Sequence, residues 1–396
     1  MTDPAREGVI TGIGIVSCLG EGLDAHWEKL RAGETTVDEV AFAPYSVHPI
    51  CALDFDRQIP KKGDQRQMEA WQRIGTYAAG LALESAGIKG NSEILARTDM
   101  IVAAGGGERD VIADSAILSA LPGAANPDAL LNERLMGDLR PTLFLAQLSN
   151  LLAGNISIVH GVTGSSRTFM GEESSGIDSL RVALARINAG QADIALIGGS
   201  YNAERKDLLM LYEFSGTLLK GGYRPVWARG PNGGMVTGSL GAFLVVESRA
   251  HAQARGARII ARLSAVMSER SSRKQDPVAP ALRTMWDRIA SRIRPGQAAL
   301  LSGASGAEPA TAGERAFLAE HADIPVRATG SYIGHGMEPS FPMNVALAAL
   351  TLDRGRLFAA RDPTGFEKPM TDALAQVVVA GAGYWRGEGL ALVEAA

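Results

Sequence analysis

Short apolar runs that end at glycine recur along the whole chain, and they limit the possible folds more than any other sequence feature. Two examples are MIVAAGG, from Met100 to Gly106, and ADIALIG, from Ala192 to Gly198. Glycine adopts backbone conformations that other residues avoid, so it marks tight turns and close approaches of the backbone. A short apolar run before such a turn is typical of a buried strand. With 46 glycines in the chain, we expect many strand-to-helix turns and an α/β fold.

Helical patterns alternate with these runs in both halves of the chain. The predicted strands are Gly8 to Val16, Met100 to Gly106, Asn155 to Val159, Ala192 to Gly198, Gly241 to Glu247, Ala298 to Gly303, Ile324 to Ala328, Gln376 to Ala380 and Leu390 to Glu394. The predicted helices are Asp24 to Arg31, with Asp24 as N-cap, Met68 to Ser85, Ser174 to Ala189, Thr311 to Glu320 and Met343 to Leu352. Between Glu108 and Asn150 the pattern is polar and helical with a break at Asn126 and Pro127, which indicates an inserted helical region.

Composition excludes several classes of protein. The formal net charge is -4, and no basic stretch alternates with aromatic residues, which argues against nucleic-acid binding. Cys18 and Cys51 form no CxxC pair, which argues against a disulfide framework or a thiolate zinc site and fits a reducing cytoplasm. The first residues are acidic where a signal peptide is basic, and no apolar run reaches membrane-spanning length. We expect a cytoplasmic protein.

The glycine-rich segments do not have the spacing of a nucleotide site. GGGER, from Gly105 to Arg109, and TGIGIVSCLG, from Thr11 to Gly20, lack both the GxGxxG spacing with a downstream acid and a GK[ST] sequence. No cofactor is therefore expected. Cys18 follows a predicted strand, and we interpret it as a small buried thiol.

The strand and helix patterns of the first half return in the second half without a letter-for-letter repeat. The most charged and loop-like stretch, Ser268 to Pro277, lies between them. We predict two similar α/β halves, residues 1–265 with the inserted helical region and residues 266–396. No long linker separates them, so they should form one compact unit.

Four stretches, in order, resemble the β-ketoacyl-acyl-carrier-protein synthases, the condensing enzymes of fatty-acid synthesis. They are VITGIGIVSCLGEGLDAHWEKLRAG near the start, GEESSG followed by AGQADIALIGGS (Gly171 to Ser200), RPVWARGPNGGMVTGSLGAFLVVES (Arg224 to Ser248) and GSYIGHGMEPSFPMNVALAALTL (Gly330 to Leu352). The resemblance implies a thiolase-like fold, with two similar halves, two central mixed sheets in an αβαβα layering, and a dimer.

The resemblance places Glu173 where the family has its catalytic cysteine, since ESSG stands in the position of CTSG ahead of AGQAD. Condensing enzymes hold the growing acyl group on a thiolate at a helix N-terminus. A carboxylate there is favoured by the helix but cannot form a stable acyl thioester. An alternative interpretation is that Glu173 is an ordinary first-turn acid. A shift of one residue would instead make Ser174 the matching residue.

The remaining positions of the family site match only in part. The second catalytic histidine of the family corresponds to His335, in GSYIGHG, whereas the first falls at Ala304 or Gly303 and the lysine falls at Gly330. The gating loop, GFGG in the family, corresponds to AGAGYWRGEG, which places Tyr384 at the gating aromatic. Trp385 and Arg386 stand where glycines are expected, so they would stiffen or plug the pocket, although an ordinary loop would pack its aromatics in the same way.

Three functions remain open from the sequence. The first is a non-condensing subunit similar to the chain-length factors, which pair with an active synthase; the chain also resembles divergent synthases linked to very long acyl chains of lipid A. The second is an enzyme with altered chemistry, in which Glu173 and His335 decarboxylate malonyl groups or transfer an acyl group. The third is a homodimer that binds acyl groups or an acyl-carrier protein. In each case the expected partner is an acyl-carrier protein.

Overall fold

A computed structural model describes residues 3–139, 143, 147–272, 278–370 and 372–396. Its strands are β1 (Gly8–Ser17), β2 (Gly20–Glu21), β3 (Val47–His48), β4 (Asp99–Ala103), β5 (Ser166–Phe169), β6 (Ile194–Tyr201), β7 (Thr237–Gly238), β8 (Leu240–Ser248), β9 (Ala261–Ser272), β10 (Ala298–Ser302), β11 (Val326–Ala328), β12 (Gln376–Ala382) and β13 (Arg386–Ala395). Its helices are α1 (Gly22–Ala32), α2 (Lys62–Gln67), α3 (Ala70–Ser85), α4 (Ser92–Arg97), α5 (Val111–Ala120), α6 (Pro127–Gly137), α7 (Leu151–His160), α8 (Glu172–Asn188), α9 (Lys206–Phe214), α10 (Arg249–Ala254), α11 (Val278–Asp287), α12 (Ala310–Ala319), α13 (Gly330–Ile333) and α14 (Ser340–Asp353).

The same strand arrangement occurs twice in the main sheet. From β1 outwards the order is β1, β8, β6, β4, β5, and from β9 outwards it is β9, β13, β12, β10, β11. In both series the first two pairings are antiparallel and the last two are parallel. The series are joined where β1 and β9 pair through two residue pairs only. The two predicted central sheets are therefore connected into one hydrogen-bonded path.

Two buried helices form the layer between the two series of strands. α8 and α14 pack against each other, and each contacts strands of both series. Their side chains belong to the largest apolar cluster of the described residues. On the outer faces, α3 and α7 cover the first series, and α11 and α12 cover the second. This layering gives the α/β class and the αβαβα order that the sequence predicted.

Most predicted elements are confirmed, and three details are wrong. The segment Asn155 to Val159 is part of α7, because Leu152, Ala153 and Ile156 face the core at helical spacing. The N-cap of α1 is Glu21, and Asp24 lies in the first turn. The first part of the predicted junction, Ser268 to Ser272, belongs to β9, where it pairs with β13.

The described part of the inserted region contains the helices α5 and α6. Asn126 accepts a hydrogen bond from the backbone of Ala129 and caps α6, which begins at Pro127, so the predicted break is confirmed. Residues 140–142 and 144–146 of this region, and residues 273–277 of the predicted junction, lie outside the described residues. The predicted boundary between residues 265 and 266 falls within β9. We propose that the second half begins with this strand, since β9 opens the second series.

Candidate functional site

The candidate site begins at the N-terminus of α8, where the backbone makes a tight turn. Gly171 has a φ of 127° and Glu172 a φ of 51°. Such a value is uncommon for a residue with a side chain, and strained backbone of this kind concentrates at functional sites. Glu173 follows in the first turn of the helix and is 5% exposed. The turn therefore directs a carboxyl group into the interior.

Gly176 allows the segment that carries the second half of the site to approach α8. A Cβ atom at Gly176 would lie 2.1 Å from the backbone oxygen of Glu338. A side chain at this position would force the two segments apart. The glycine of the ESSG sequence thus brings the residues after His335 against the first turn of α8.

His335 faces Glu173 from the segment between α13 and α14. Its amide donates to the oxygen of Val236 at 2.8 Å, and its own oxygen accepts from the amide of Gly238 at 2.9 Å. These bonds fix the backbone, and Nε2 of His335 lies 2.7 Å from Oε1 of Glu173. The structure therefore brings together two of the predicted site residues as a buried hydrogen-bonded pair.

The predicted gating residue, Tyr384, touches the site through its backbone. Its amide donates to Oε1 of Glu173 at 3.1 Å, while its ring packs edge-on against Tyr212. Burial and the nearby charge of Glu173 raise the pKa of Tyr384 to about 12. Trp385 is 64% exposed, so it does not plug the pocket as predicted. The loop instead supplies a hydrogen-bond donor that holds Glu173.

Little space remains around this pair. The cavity at the site has a volume of about 10 Å³ and is lined by Glu173, Ile177, Gly303, His335, Ser340, Phe341, Asn344, Gly381 and Ala382. A cavity needs about 10 to 15 Å³ to hold one water. Oε2 of Glu173 is buried and has no hydrogen-bond partner among the described residues. The site as it stands accommodates at most one water.

The hydroxyl of Ser174, the alternative nucleophile, is bonded within its own helical turn. Its hydroxyl donates to the oxygen of Gly171 at 2.6 Å within the first turn of α8. A serine nucleophile needs a base within hydrogen-bond reach. The side-chain hydrogen bond of Ser174 among the described residues goes to this backbone oxygen and not to a base, whereas Glu173 is the residue that meets His335.

The two positions predicted to match the first histidine and the lysine of the family are neighbours. A Cβ atom at Gly330 would lie 3.0 Å from the oxygen of Ala304. Ala304 is buried, and its amide donates to the hydroxyl of Ser302. Of the two candidate histidine positions, Gly303 lines the small cavity. Both predicted positions are therefore occupied by small residues.

Two buried acids near the site were missed in the sequence. Glu314 is fully buried on α12 and accepts from the hydroxyl of Ser302 at 2.6 Å, and burial raises its pKa to about 7. Burial, followed by the charges of Glu173 and Glu172, raises the pKa of Glu338 to about 7. Glu314 lies on an amphipathic helix and Glu338 follows a loop glycine, and neither pattern indicates that the acid is buried. Tertiary contacts decide whether such an acid is buried.

Glu338 lines a second cavity behind the turn of α8. This cavity has a volume of about 110 Å³, and its walls include Glu172, Met337 and the glycines Gly105 to Gly107. A Cβ atom at Gly105 would lie 2.5 Å from Oε1 of Glu338. The glycine-rich segment thus makes room for a carboxyl group, which is unfavourable for a nucleotide phosphate.

The two cysteines lie away from the site. Cys18 is buried, with its thiol 3.3 Å from the oxygen of Tyr332, and burial raises its pKa to about 11. Burial also raises the pKa of Cys51 to about 11. Both thiols are protonated near neutral pH and are weak nucleophiles.

The described residues contain no group of three or more His, Cys, Asp or Glu side chains that could hold a metal ion. In the same part of the chain, every helix is too short or too polar to cross a bilayer.

Comparison with known proteins agrees with this architecture. The sequence model described as "Beta-ketoacyl synthase, N-terminal domain" matches residues 6–252, more than half of the chain. The chain belongs to the β-ketoacyl synthase family. The thiolase-like fold predicted from four sequence stretches is confirmed by a solved structure, "The ishigamide ketosynthase/chain length factor", with a TM-score of 0.79. That match has 20% identity and covers 99% of each chain.

Curated relatives are synthases of fatty-acid and polyketide metabolism. The "3-oxoacyl-[acyl-carrier-protein] synthase 2" of Vibrio cholerae serotype O1 is 26% identical over 266 residues, which cover 65% of this chain and 61% of the relative. The "Oxytetracycline polyketide putative beta-ketoacyl synthase 1" of Streptomyces rimosus is 25% identical over 379 residues, 89% of this chain and 86% of the relative. The chain thus aligns with less than two thirds of the Vibrio synthase.

Proposed function

We propose that this chain is a non-condensing member of the β-ketoacyl synthase family that acts as the partner or chain-length subunit of an active synthase. The observation that carries the proposal is the position of Glu173 and its hydrogen bonds. Its carboxyl group stands at the head of the buried helix α8, bonded to His335 and to the amide of Tyr384. The matching family position holds the thiol that carries the acyl group.

The chemistry of the replacement argues against condensation. A thioester is stable enough to hold an acyl chain and reactive enough to transfer it, whereas a carboxyl group forms no such linkage. The remaining thiols, Cys18 and Cys51, have raised pKa values and do not line the cavity at Glu173. The described residues therefore offer no attachment point for the acyl group at this site.

The geometry of the site gives a second argument. His335 would have to direct Nε2 at the oxygen of an incoming thioester to stabilise negative charge. Here Nε2 is 2.7 Å from Oε1 of Glu173, and the adjoining cavity holds about 10 Å³. Ala304 and Gly330 supply neither an imidazole nor an ammonium group. An acyl chain would have to displace the pair that closes the site.

An open sheet edge supports a role beside another subunit. β5 ends one series of strands and pairs only with β4 among the described strands. Met170, directly after β5, is 64% exposed, and Ile158, on α7, is 71% exposed. Unpaired edges and exposed apolar side chains favour association with another chain. We propose that this edge contacts an active synthase, as a heterodimer related to the ketosynthase and chain length factor named in the similar structure.

The proposed partner in metabolism is an acyl-carrier protein, which the name of the Vibrio relative also contains. Acyl elongation in fatty-acid synthesis, including very long chains of lipid A, is the proposed setting. The two free cysteines are consistent with a cytoplasmic location.

The pair formed by Glu173 and His335 favours one alternative function. A carboxyl group and an imidazole at hydrogen-bond distance can hold and move a proton, which suits decarboxylation of a malonyl group on a carrier protein or transfer of an acyl group. This function requires the closed cavity to open around the pair.

Intact mass spectrometry and a decarboxylation assay distinguish these functions. We expect no mass increase when the purified chain meets acyl-carrier protein loaded with an acyl group, and no release of carbon dioxide from malonyl-carrier protein. Co-purification from the native host should recover a synthase that carries the cysteine and both histidines. An acyl adduct on the chain would refute the proposal. Carbon dioxide release that Glu173→Gln abolishes would establish the alternative.

A further inference from the structure

The cavity that Glu338 lines is separate from the one at Glu173. It has a volume of about 110 Å³ and shares no lining residue with the smaller cavity. Gly106, one of its lining residues, is exposed, so the cavity lies next to the surface. Because one water needs about 10 to 15 Å³, a cavity of this size accommodates a ligand of several non-hydrogen atoms.

The backbone around this cavity is strained on two sides. Glu172, with a φ of 51°, and Met337, with a φ of 52°, are the two non-glycine residues with a positive φ in the described part of the chain. Both line the cavity, and each stands directly before a buried acid, Glu173 or Glu338. Strained backbone of this kind concentrates at active sites and ligand-binding sites. Two strained turns at one cavity therefore indicate a binding site.

Glu338 directs a carboxyl group at this cavity. It is 7% exposed, and its Oε1 would lie 2.5 Å from a Cβ atom at Gly105, which also lines the cavity. Its own amide is the donor that its carboxyl group finds, and no basic side chain of the described residues forms an ion pair with it. A buried carboxylate is costly unless a cation or several donors compensate its charge. The carboxyl group of Glu338 therefore has a place for a partner on the cavity side.

The other charged groups at the cavity leave Glu338 without a counter-charge. Arg205 lines the cavity as well, but its Nε and Nη2 donate to the carboxylate of Asp207 at 3.1 and 2.5 Å. Glu172 adds a second carboxyl group to the lining, and its nearest cation, Arg386, is half exposed at 3.6 Å. Two carboxyl groups thus face one arginine that already has a carboxylate of its own.

Aromatic and apolar side chains form much of the remaining wall. Trp71, Tyr201, Leu208, Tyr212 and Met337 line the cavity. Burial raises the pKa of Tyr201 and of Tyr212, so both phenols are neutral near pH 7. Apolar walls with a few polar groups are typical of small-molecule sites, and aromatic rings favour cations over anions.

We propose that this cavity binds a small organic ammonium ion, a primary amine with a short alkyl or hydroxyalkyl chain. An ionised carboxylate only accepts hydrogen bonds, so the matching ligand must supply donors. The ammonium group would donate to Glu338 and compensate its charge, with Glu172 adding attraction. The alkyl part would pack against the aromatic wall. This site is independent of the proposed role of Glu173, since the two cavities have no residue in common.

Isothermal titration calorimetry on the full chain tests the proposal with ethylammonium chloride, at pH 8 and at an ionic strength held constant with sodium chloride. We expect saturable binding of ethylammonium. Ethanol, a neutral molecule of similar size, and acetate, an anion, should show no saturable binding. Ethanolamine hydrochloride then measures whether a hydroxyl group on the chain strengthens binding.

Two variants remove one negative charge each. Glu338→Gln keeps the size of the side chain and an acceptor, so it should weaken ethylammonium binding roughly tenfold or more, the effect of one hydrogen bond to a charged group. Glu172→Gln should weaken binding severalfold. Because Glu338→Gln replaces a buried acid by a neutral group, it should fold at least as well as the wild type, which circular dichroism checks.

Matched controls are Glu314→Gln and Glu320→Gln. Glu314 is another buried acid with a pKa raised to about 7, and Glu320 is a partly exposed acid paired with Arg283, which matches Glu172. Neither lines this cavity, so both variants should bind ethylammonium with wild-type affinity. Absence of saturable binding, equal affinity for ethanol, or unchanged affinity in Glu338→Gln would overturn the site.

Discussion

Glu173 and Glu314 are two buried acids at or near the candidate site, and they differ in what surrounds them. Glu173 has His335 and the amide of Tyr384 at Oε1. Glu314 has the hydroxyl of Ser302 at Oε1, and burial raises its pKa to about 7. Each leaves its Oε2 without a partner among the described residues. The two acids therefore differ in their side-chain donors: an imidazole lies at hydrogen-bond distance from Glu173, whereas a hydroxyl donates to Glu314 and burial dominates its pKa.

The largest effect is expected when the pair at Glu173 is broken. His335→Ala removes the imidazole and leaves a buried carboxyl group with one amide donor, so it should lower the free energy of unfolding by about 3 to 5 kcal/mol. Urea denaturation at pH 8 measures this change. Glu173→Gln keeps an acceptor of the same size and should cost much less.

Arg31→Ala serves as the control for that prediction, since it breaks an exposed ion pair with Glu28. It should leave the urea midpoint unchanged within error. Equal midpoints for the wild type and His335→Ala would show that the pair contributes nothing to stability.

A smaller, pH-dependent effect is expected at Glu314. The pKa of Glu314 is about 7 in the folded chain, whereas the ordinary pKa of a glutamate is 4.5. A raised folded pKa contributes stability that is present below pH 4.5 and is lost as the pH rises through 7. Glu314→Gln should therefore stabilise the protein above pH 7, by about 2 to 3 kcal/mol, and should have little effect near pH 4.5.

Urea denaturation of the wild type and Glu314→Gln at pH 5, 6, 7 and 8 measures whether the variant becomes more stable than the wild type as the pH rises. The exposed acid Glu93 supplies the control, and Glu93→Gln should show no such trend. A stability difference that is constant across the series would mean that the carboxyl of Glu314 does not titrate in this range.

The smallest effect is expected from restoring the thiol alone. Glu173→Cys places a thiol at the head of α8, but Ala304 and Gly330 still lack the imidazole and ammonium groups of an active synthase. Condensation assayed with acyl- and malonyl-carrier protein should stay at the wild-type level. Alkylation by iodoacetamide confirms that the new thiol is present. Condensation by this single variant would show that residue 173 is matched to the family site incorrectly.

Sequence patterns predicted the layers of the fold better than the details of the site. Glycine-terminated apolar runs identified β4, β6 and β10, because in these segments the apolar run and the glycine that ends it lie next to each other in the sequence. The segment Asn155 to Val159 was assigned to a strand, since a short apolar run alone does not distinguish a strand from a buried helix. Trp385 was predicted to obstruct the pocket, yet it faces solvent.

The sequence by itself was enough to determine the α/β class, and it predicted that Glu173 and His335 match positions of the family site. Only tertiary structure decided that these two side chains meet at 2.7 Å, that the cavity beside them closes to about 10 Å³, and that Glu314, Glu338 and Arg229 are buried. The physical reason is that burial and the pKa shifts it causes depend on segments far apart in sequence. Residues 173 and 335 come together because α8 and the segment before α14 enter the central layer from different halves of the fold.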